Sequence, residues 1–166
     1  MSAPVGIIVG SKSDLAYAEA ASKVLAELGI GHELRILSAH RTPGPLEAYI
    51  AGAEAAGTRV FITMAGMAAA LPGVVAAKTT LPVIGVPLPA SELAGQDALM
   101  SIVQMPPGIP VGTMAIGKAG ARNAAWYAAA ILALGDADVA QALADGRARM
   151  AQGVLAADAE VQAARA

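Results

Sequence analysis

The strongest constraint on this chain is the way short, β-rich apolar runs alternate with segments of helical periodicity. Val5–Val9 (VGIIV) is apolar throughout, as a strand covered on both faces must be. Behind it, Ser13 or Asp14 offers a helix N-cap. Tyr17, Ala20, Ala21, Val24, Leu25 and Leu28 then recur at helical spacing, and Gly29 closes the segment. The same alternation predicts strands at His32–Leu37, Arg59–Met64, Val83–Val86 and Val111–Ile116. It predicts helices over Pro43–Ala56 (closed by Gly57), Leu71–Lys78, Gln96–Gln104 and Ala119–Leu134, and a last helix from near Asp136. Units of this kind connect right-handedly into a parallel sheet. Five strands predict a flavodoxin-like, doubly wound three-layer sandwich of order 2-1-3-4-5, with residues 1–166 in a single α/β domain. The alanine-rich tail after Met150 has helical propensity but a weak apolar stripe, so it either packs on a neighbouring subunit or frays; packing of about 136–166 on neighbouring subunits is the expectation.

Composition narrows the function. Only 14% of residues are charged and 56% are hydrophobic, which excludes disorder. The net charge is −2 and the Lys and Arg residues are scattered, so no basic face is available for nucleic acid. Without cysteine there is no disulfide, zinc–thiolate site or thiol nucleophile. The two histidines, His32 and His40, are too few for a His-rich metal site. Two uncharged stretches, 60–77 and 98–117, have the length of a membrane span. Gly66, Pro72 and Gly73 interrupt the first, and Pro106, Pro107, Gly108 and Pro110 the second, so both read as buried α/β core. The opening MSAPVGIIVGSKSD has no basic segment ahead of a short apolar run, which predicts no secretory leader and a cytoplasmic location.

In doubly wound sheets ligands bind beyond the carboxyl ends of the strands, and the most polar turns of this chain fall there. The first is Gly10-Ser11-Lys12-Ser13-Asp14, where a tight turn at Gly10, two hydroxyls and a helix N-terminus would cradle an anion, or would simply cap the helix. The second is Ser38-Ala39-His40-Arg41-Thr42-Pro43. Arg41 there can clamp a phosphate, and the imidazole of His40 suits proton transfer near neutral pH. The third, Ala65-Gly66-Met67-Ala68-Ala69-Ala70, carries no ionisable group; it fits close approach of a ligand to the backbone equally with tight packing. His32 opens the second strand, at the opposite end of the sheet, and reads as a surface or edge residue.

GSKSD (10–14), SAHRTP (38–43), LPGVVAAKTTLPVIGVP (71–87), SIVQMPPGIPVGTMAIGKAGARNA (101–124) and AAILAL (129–134) together resemble bacterial N5-carboxyaminoimidazole ribonucleotide mutases, the class I phosphoribosylaminoimidazole carboxylases (PurE family) of purine biosynthesis. The resemblance implies a homo-octamer with active sites at subunit interfaces, a ribonucleotide substrate, and neither metal, organic cofactor nor ATP. It implies that Ser11 and Asp14 hold the ribose and phosphate end, that Ser13, Ser38 and Arg41 contact phosphate, and that His40 is the acid–base residue. The backbone around Ala65 and Gly66 would line the aminoimidazole and carboxylate pocket. The implied reaction moves a carboxylate from the exocyclic nitrogen to C4 of the ring through carbon dioxide.

Three positions depart from the family pattern. Where the family reads GGAAHLPG, Met67 replaces the second glycine and Ala70 the histidine; Gly44 stands for the Asp that usually follows SAHRTP. The phosphate end is intact and the end near the reacting carboxylate is altered. That leaves room for a paralogous carboxylase or decarboxylase of another heterocyclic nucleotide. A non-catalytic nucleotide-binding module is the third reading, against which His40 speaks.

Overall fold

The computed structural model describes residues 3–165. Its five parallel strands are β1 (Val5–Val9), β2 (His32–Ile36), β3 (Val60–Gly66), β4 (Val83–Leu88) and β5 (Gly112–Thr113), in the order β2-β1-β3-β4-β5. Six helices join or follow them: α1 (Leu15–Glu27), α2 (Pro43–Ala55), α3 (Ala70–Ala76), α4 (Gln96–Val103), α5 (Lys118–Leu132) and α6 (Ala137–Ala163). The topology is the flavodoxin-like one that the alternation of runs predicts.

Side chains that alternate along a strand enter opposite cores. Val5, Ile7 and Val9, with Ile62, Met64 and Val86, pack against α1 and α5. Ile8 and Phe61 face the other way, onto Leu46 and Ile50 of α2, Val75 of α3 and Ile102 of α4. Burial on both faces explains why the central strands read as unbroken apolar runs. Small residues set the spacing of the layers: α5 buries Ala121, Ala124, Ala125, Ala128 and Ala129 completely. Gly6 pairs in register with Phe61, and a Cβ at Gly6 would lie 2.9 Å from that ring. Against the same ring, edge-on at 6.4 Å, lies Tyr49 of α2, with the Arg35 guanidinium of β2 4.8 Å above it. The Tyr49 hydroxyl is buried without a hydrogen-bond partner, and burial, aided by the nearby negative charge of Glu33, pushes its pKa up to about 12 against the pull of Arg35.

Helices α3 and α5 each end two residues earlier than expected, and the strands β3, β4 and β5 depart most from their expected bounds. β3 and β4 each run two residues further, so Ala65↔Pro87 and Gly66↔Leu88 belong to the ladder. β5 is short because it is an edge, paired on one side only; beyond it Met114 N–H still donates to Gly85 O and Gly117 N–H to Pro87 O, both at 2.9 Å. The tail is helical to Ala163, but every described residue after Gly146 is exposed. At Gly146 itself α6 crosses α5 so closely that a Cβ would fall 2.5 Å from the Trp126 ring. The two uncharged stretches fold as β3 with α3 and as α4 with β5; among the described residues no helix is long and apolar enough to cross a membrane.

Candidate active site

All five strands run the same way, so the loops after β1, β2 and β3 leave the sheet side by side. In the first loop the cap falls on Ser11, not on Ser13 or Asp14. Ser11 is extended, and its Oγ accepts a hydrogen bond from Ser13 N–H at 3.4 Å, opening a single 3-10 turn over Lys12–Asp14 ahead of α1. Asp14 occupies the N-cap position of α1 without capping it. Its carboxylate is buried and accepts from the Ser13 hydroxyl at 3.1 Å; the same hydroxyl lies 3.0 Å from Ser11 Oγ and can turn to it instead. The chain bends at Gly10, as expected, without a left-handed conformation there. A Cβ there would meet no protein atom, and what the position supplies is a carbonyl oxygen that accepts from Arg41.

The second loop is closed by local hydrogen bonds. Thr42 Oγ1 accepts from Ser38 N–H at 2.8 Å and donates to Ser38 O at 3.1 Å, and Arg41 N–H donates to Ser38 Oγ at 3.2 Å. The Arg41 guanidinium then reaches across to the first loop and donates through Nη2 to Gly10 O at 2.9 Å. His40 is exposed beside it. The third loop stores strain: Met67 and Ala69 have φ of 57° and 37°, in the left-handed region that disfavours a Cβ. Gly66 is required by close approach, because a Cβ there would lie 2.5 Å from that of Ala90 in the loop after β4.

The loops enclose a crevice of about 620 Å3, a size that suits a nucleotide. His40, Ser11, Ser13, Asp14, Ser38, Arg41, Ala65 and Gly66 all line it, so the residues singled out in the sequence meet in one place. His32 lies at the other end of the sheet, its Nδ1 3.1 Å from Ile30 O. Ala90 and Leu71 line the crevice and were not anticipated. Ala90 follows a strand end like the other loops; selecting turns by polarity passed over it. The first two loops bring Arg41, His40, Asp14 and three serines to the crevice, and the third brings alanines, Gly66 and Met67. Such a space can hold an anionic group against the first two loops and an uncharged or planar one against the third, with one imidazole to move a proton. Among the described residues no three His, Asp or Glu side chains gather where they could hold a metal.

This is a flavodoxin-like α/β protein with its ligand crevice at the carboxyl edge of the sheet. The family model described as AIR carboxylase matches residues 4–153, and the chain belongs to that family. An N5-carboxyaminoimidazole ribonucleotide mutase of Brucella melitensis is 56% identical over 147 residues, covering 89% of this chain and 91% of that protein. The Escherichia coli K12 protein of the same name is 51% identical over 153 residues, 92% of this chain and 90% of its own length. The crystal structure of Treponema denticola PurE superposes with a TM-score of 0.85 at 32% identity, over 94% of this chain and 96% of that one.

Proposed function

We propose that this protein is an N5-carboxyaminoimidazole ribonucleotide mutase of purine biosynthesis, forming 4-carboxyaminoimidazole ribonucleotide without metal, organic cofactor or ATP. The observation that carries the reading is the meeting of His40, Arg41 and the Ser11–Asp14 turn in one crevice, in a chain about half identical to mutases over nine-tenths of its length. Arg41, Ser11, Ser13 and Ser38 hold the phosphate, Asp14 the ribose side, and the backbone at Ala65 and Gly66 the base and its carboxylate. In the reaction the bond between carboxylate carbon and exocyclic nitrogen breaks. The electron pair stays on nitrogen, which takes a proton, and carbon dioxide is released into the closed site. C4 of the ring then attacks the carbon dioxide and loses its own proton. One proton enters and one leaves, so a single imidazole, His40, can serve both steps.

The 166 residues act as one domain in the cytoplasm, assembled as an octamer whose neighbours cover the exposed α6 tail and complete the crevice. The alanine-rich third loop favours a second reading: with Met67 and Ala70 there, the pocket could serve a different heterocyclic nucleotide in a carboxylation or decarboxylation. The assay is direct. Purified protein supplied with N5-carboxyaminoimidazole ribonucleotide forms the 4-carboxy product at a rate proportional to enzyme. Nucleotide binding with no product favours the second reading.

A further inference from the structure

Thr42 carries no charge and does not line the crevice, yet it shapes the loop that carries His40 and Arg41. It stands at the N-cap position of α2, but its side chain makes no cap bond there. The sequence supplies the reason. An N-cap oxygen accepts from the N–H of the second or third helical residue. This helix opens Pro43-Gly44-Pro45, and the third of these has no N–H to give.

The hydroxyl turns back instead. It accepts from Ser38 N–H at 2.8 Å and donates to Ser38 O at 3.1 Å, while Thr42 N–H donates to the same oxygen at 3.0 Å. Arg41 N–H donates to Ser38 Oγ at 3.2 Å. Ser38 and Thr42 thus clasp the turn between them, and every bond of the clasp lies within one chain. Behind it Leu37 N–H donates to Val9 O at 2.9 Å, which ties the turn to the end of β1. Arg41 has a further anchor of its own on Gly10 O. His40 sits in the middle of the clasped turn and is exposed, so the backbone that carries its imidazole sets where that imidazole points.

We propose that Thr42 is the positioning residue for His40: its hydroxyl holds the 38–42 turn in the conformation that presents the imidazole to the crevice. The proposal rests on the mutase reading, in which that imidazole moves the proton. Proton transfer requires hydrogen-bond reach, and a displacement of about 1 Å can cost about 100-fold in rate. Phosphate binding depends less on the clasp, because Arg41 keeps its bond to Gly10. Loss of the hydroxyl therefore falls on turnover and spares affinity.

The test separates the two. Thr42→Val and Thr42→Ala remove the hydroxyl, the first with the shape of the side chain kept, and Thr42→Ser retains it. Each variant is assayed with N5-carboxyaminoimidazole ribonucleotide at a temperature where circular dichroism shows it folded, and calorimetry gives its affinity for aminoimidazole ribonucleotide. Thr42→Val and Thr42→Ala should lose about 10- to 100-fold in kcat with affinity within about twofold of the natural protein, and Thr42→Ser should recover most of the turnover. A purely structural hydroxyl would lower the unfolding temperature of the first two and leave the kcat of the folded protein unchanged. Unchanged kcat in them overturns the proposal and leaves the mutase reading standing. An equal loss in Thr42→Ser does the same, by tracing the effect to the methyl group. Affinity that falls in step with turnover also overturns it, since the clasp would then serve the phosphate site and not the imidazole. Absence of 4-carboxy product from the natural protein overturns the reading and the proposal together.

Discussion

Arg41 and Gly10, thirty-one residues apart, are joined by a 2.9 Å hydrogen bond from the guanidinium to the carbonyl oxygen. The bond fixes the second loop on the first, in the crevice that Ser11 and Ser13 also line. Arg41→Ala removes the latch and, in the proposed function, a phosphate contact. Affinity for aminoimidazole ribonucleotide should fall by about 1.5–3 kcal/mol, the range for hydrogen bonds to charged groups. Arg41→Lys should recover little, because an ammonium cannot reproduce the planar fork. Calorimetric titration with the nucleotide measures both; unchanged affinity in Arg41→Ala would remove this residue from the site.

The strain at Met67 has a consequence for stability that is separate from catalysis. Gly at a left-handed position relieves a cost of about 1–2 kcal/mol, offset in part by the greater entropy of the unfolded chain. Met67→Gly should therefore be neutral to about 1 kcal/mol more stable in urea unfolding. Ala48→Gly, at an exposed position in the middle of α2, should cost about 1 kcal/mol. If both lose stability equally, the left-handed backbone at Met67 is not strained.

Tyr49 gives a pH dependence whose sign is fixed by burial. Its pKa rises from 10.0 to about 12 on folding. The unfolded chain therefore ionises first. The stability tied to the neutral hydroxyl is complete below about pH 10 and is lost as pH climbs through about 12. Unfolding at about pH 9 and about pH 11 should show a smaller loss in Tyr49→Phe than in the natural protein. Near neutral pH the same variant should be no less stable, since the hydroxyl it removes has no partner.

The tail of α6 exposes Met150, Val154, Leu155 and Val161, with Val154 71% and Leu155 69% accessible. One small chain rarely leaves such side chains on a free-standing helix. Light scattering at micromolar concentration should find an octamer for the full chain and a smaller assembly for a chain ended after Ala151. A monomeric full chain would contradict the shared assembly.

Much of this was legible in the sequence because it depends on local pattern. Val5–Val9 announces a doubly covered strand, and GSKSD and SAHRTP fall where strand ends meet. What was hidden depends on contacts distant in sequence. The Ser11 cap could not be told from Ser13 or Asp14, since all three side chains suit the role. β3 and β4 run on because Ala65 and Gly66 find partners in Pro87 and Leu88, which local propensity does not report. The closeness of Ala90 to Gly66 and the left-handed backbone at Met67 arise only when the third and fourth loops pack. Charged residues drew attention to the first two loops, whereas the third, built largely from alanines, looked like any other core.

The central claim is that the crevice performs an isomerisation in which His40 moves the proton. His40→Asn keeps a polar side chain of similar size and removes the titrating group. The most direct measurement is turnover of N5-carboxyaminoimidazole ribonucleotide by this variant beside calorimetric affinity for aminoimidazole ribonucleotide. The account predicts turnover lower by about 100-fold or more with affinity nearly unchanged. Turnover close to that of the natural protein would contradict it.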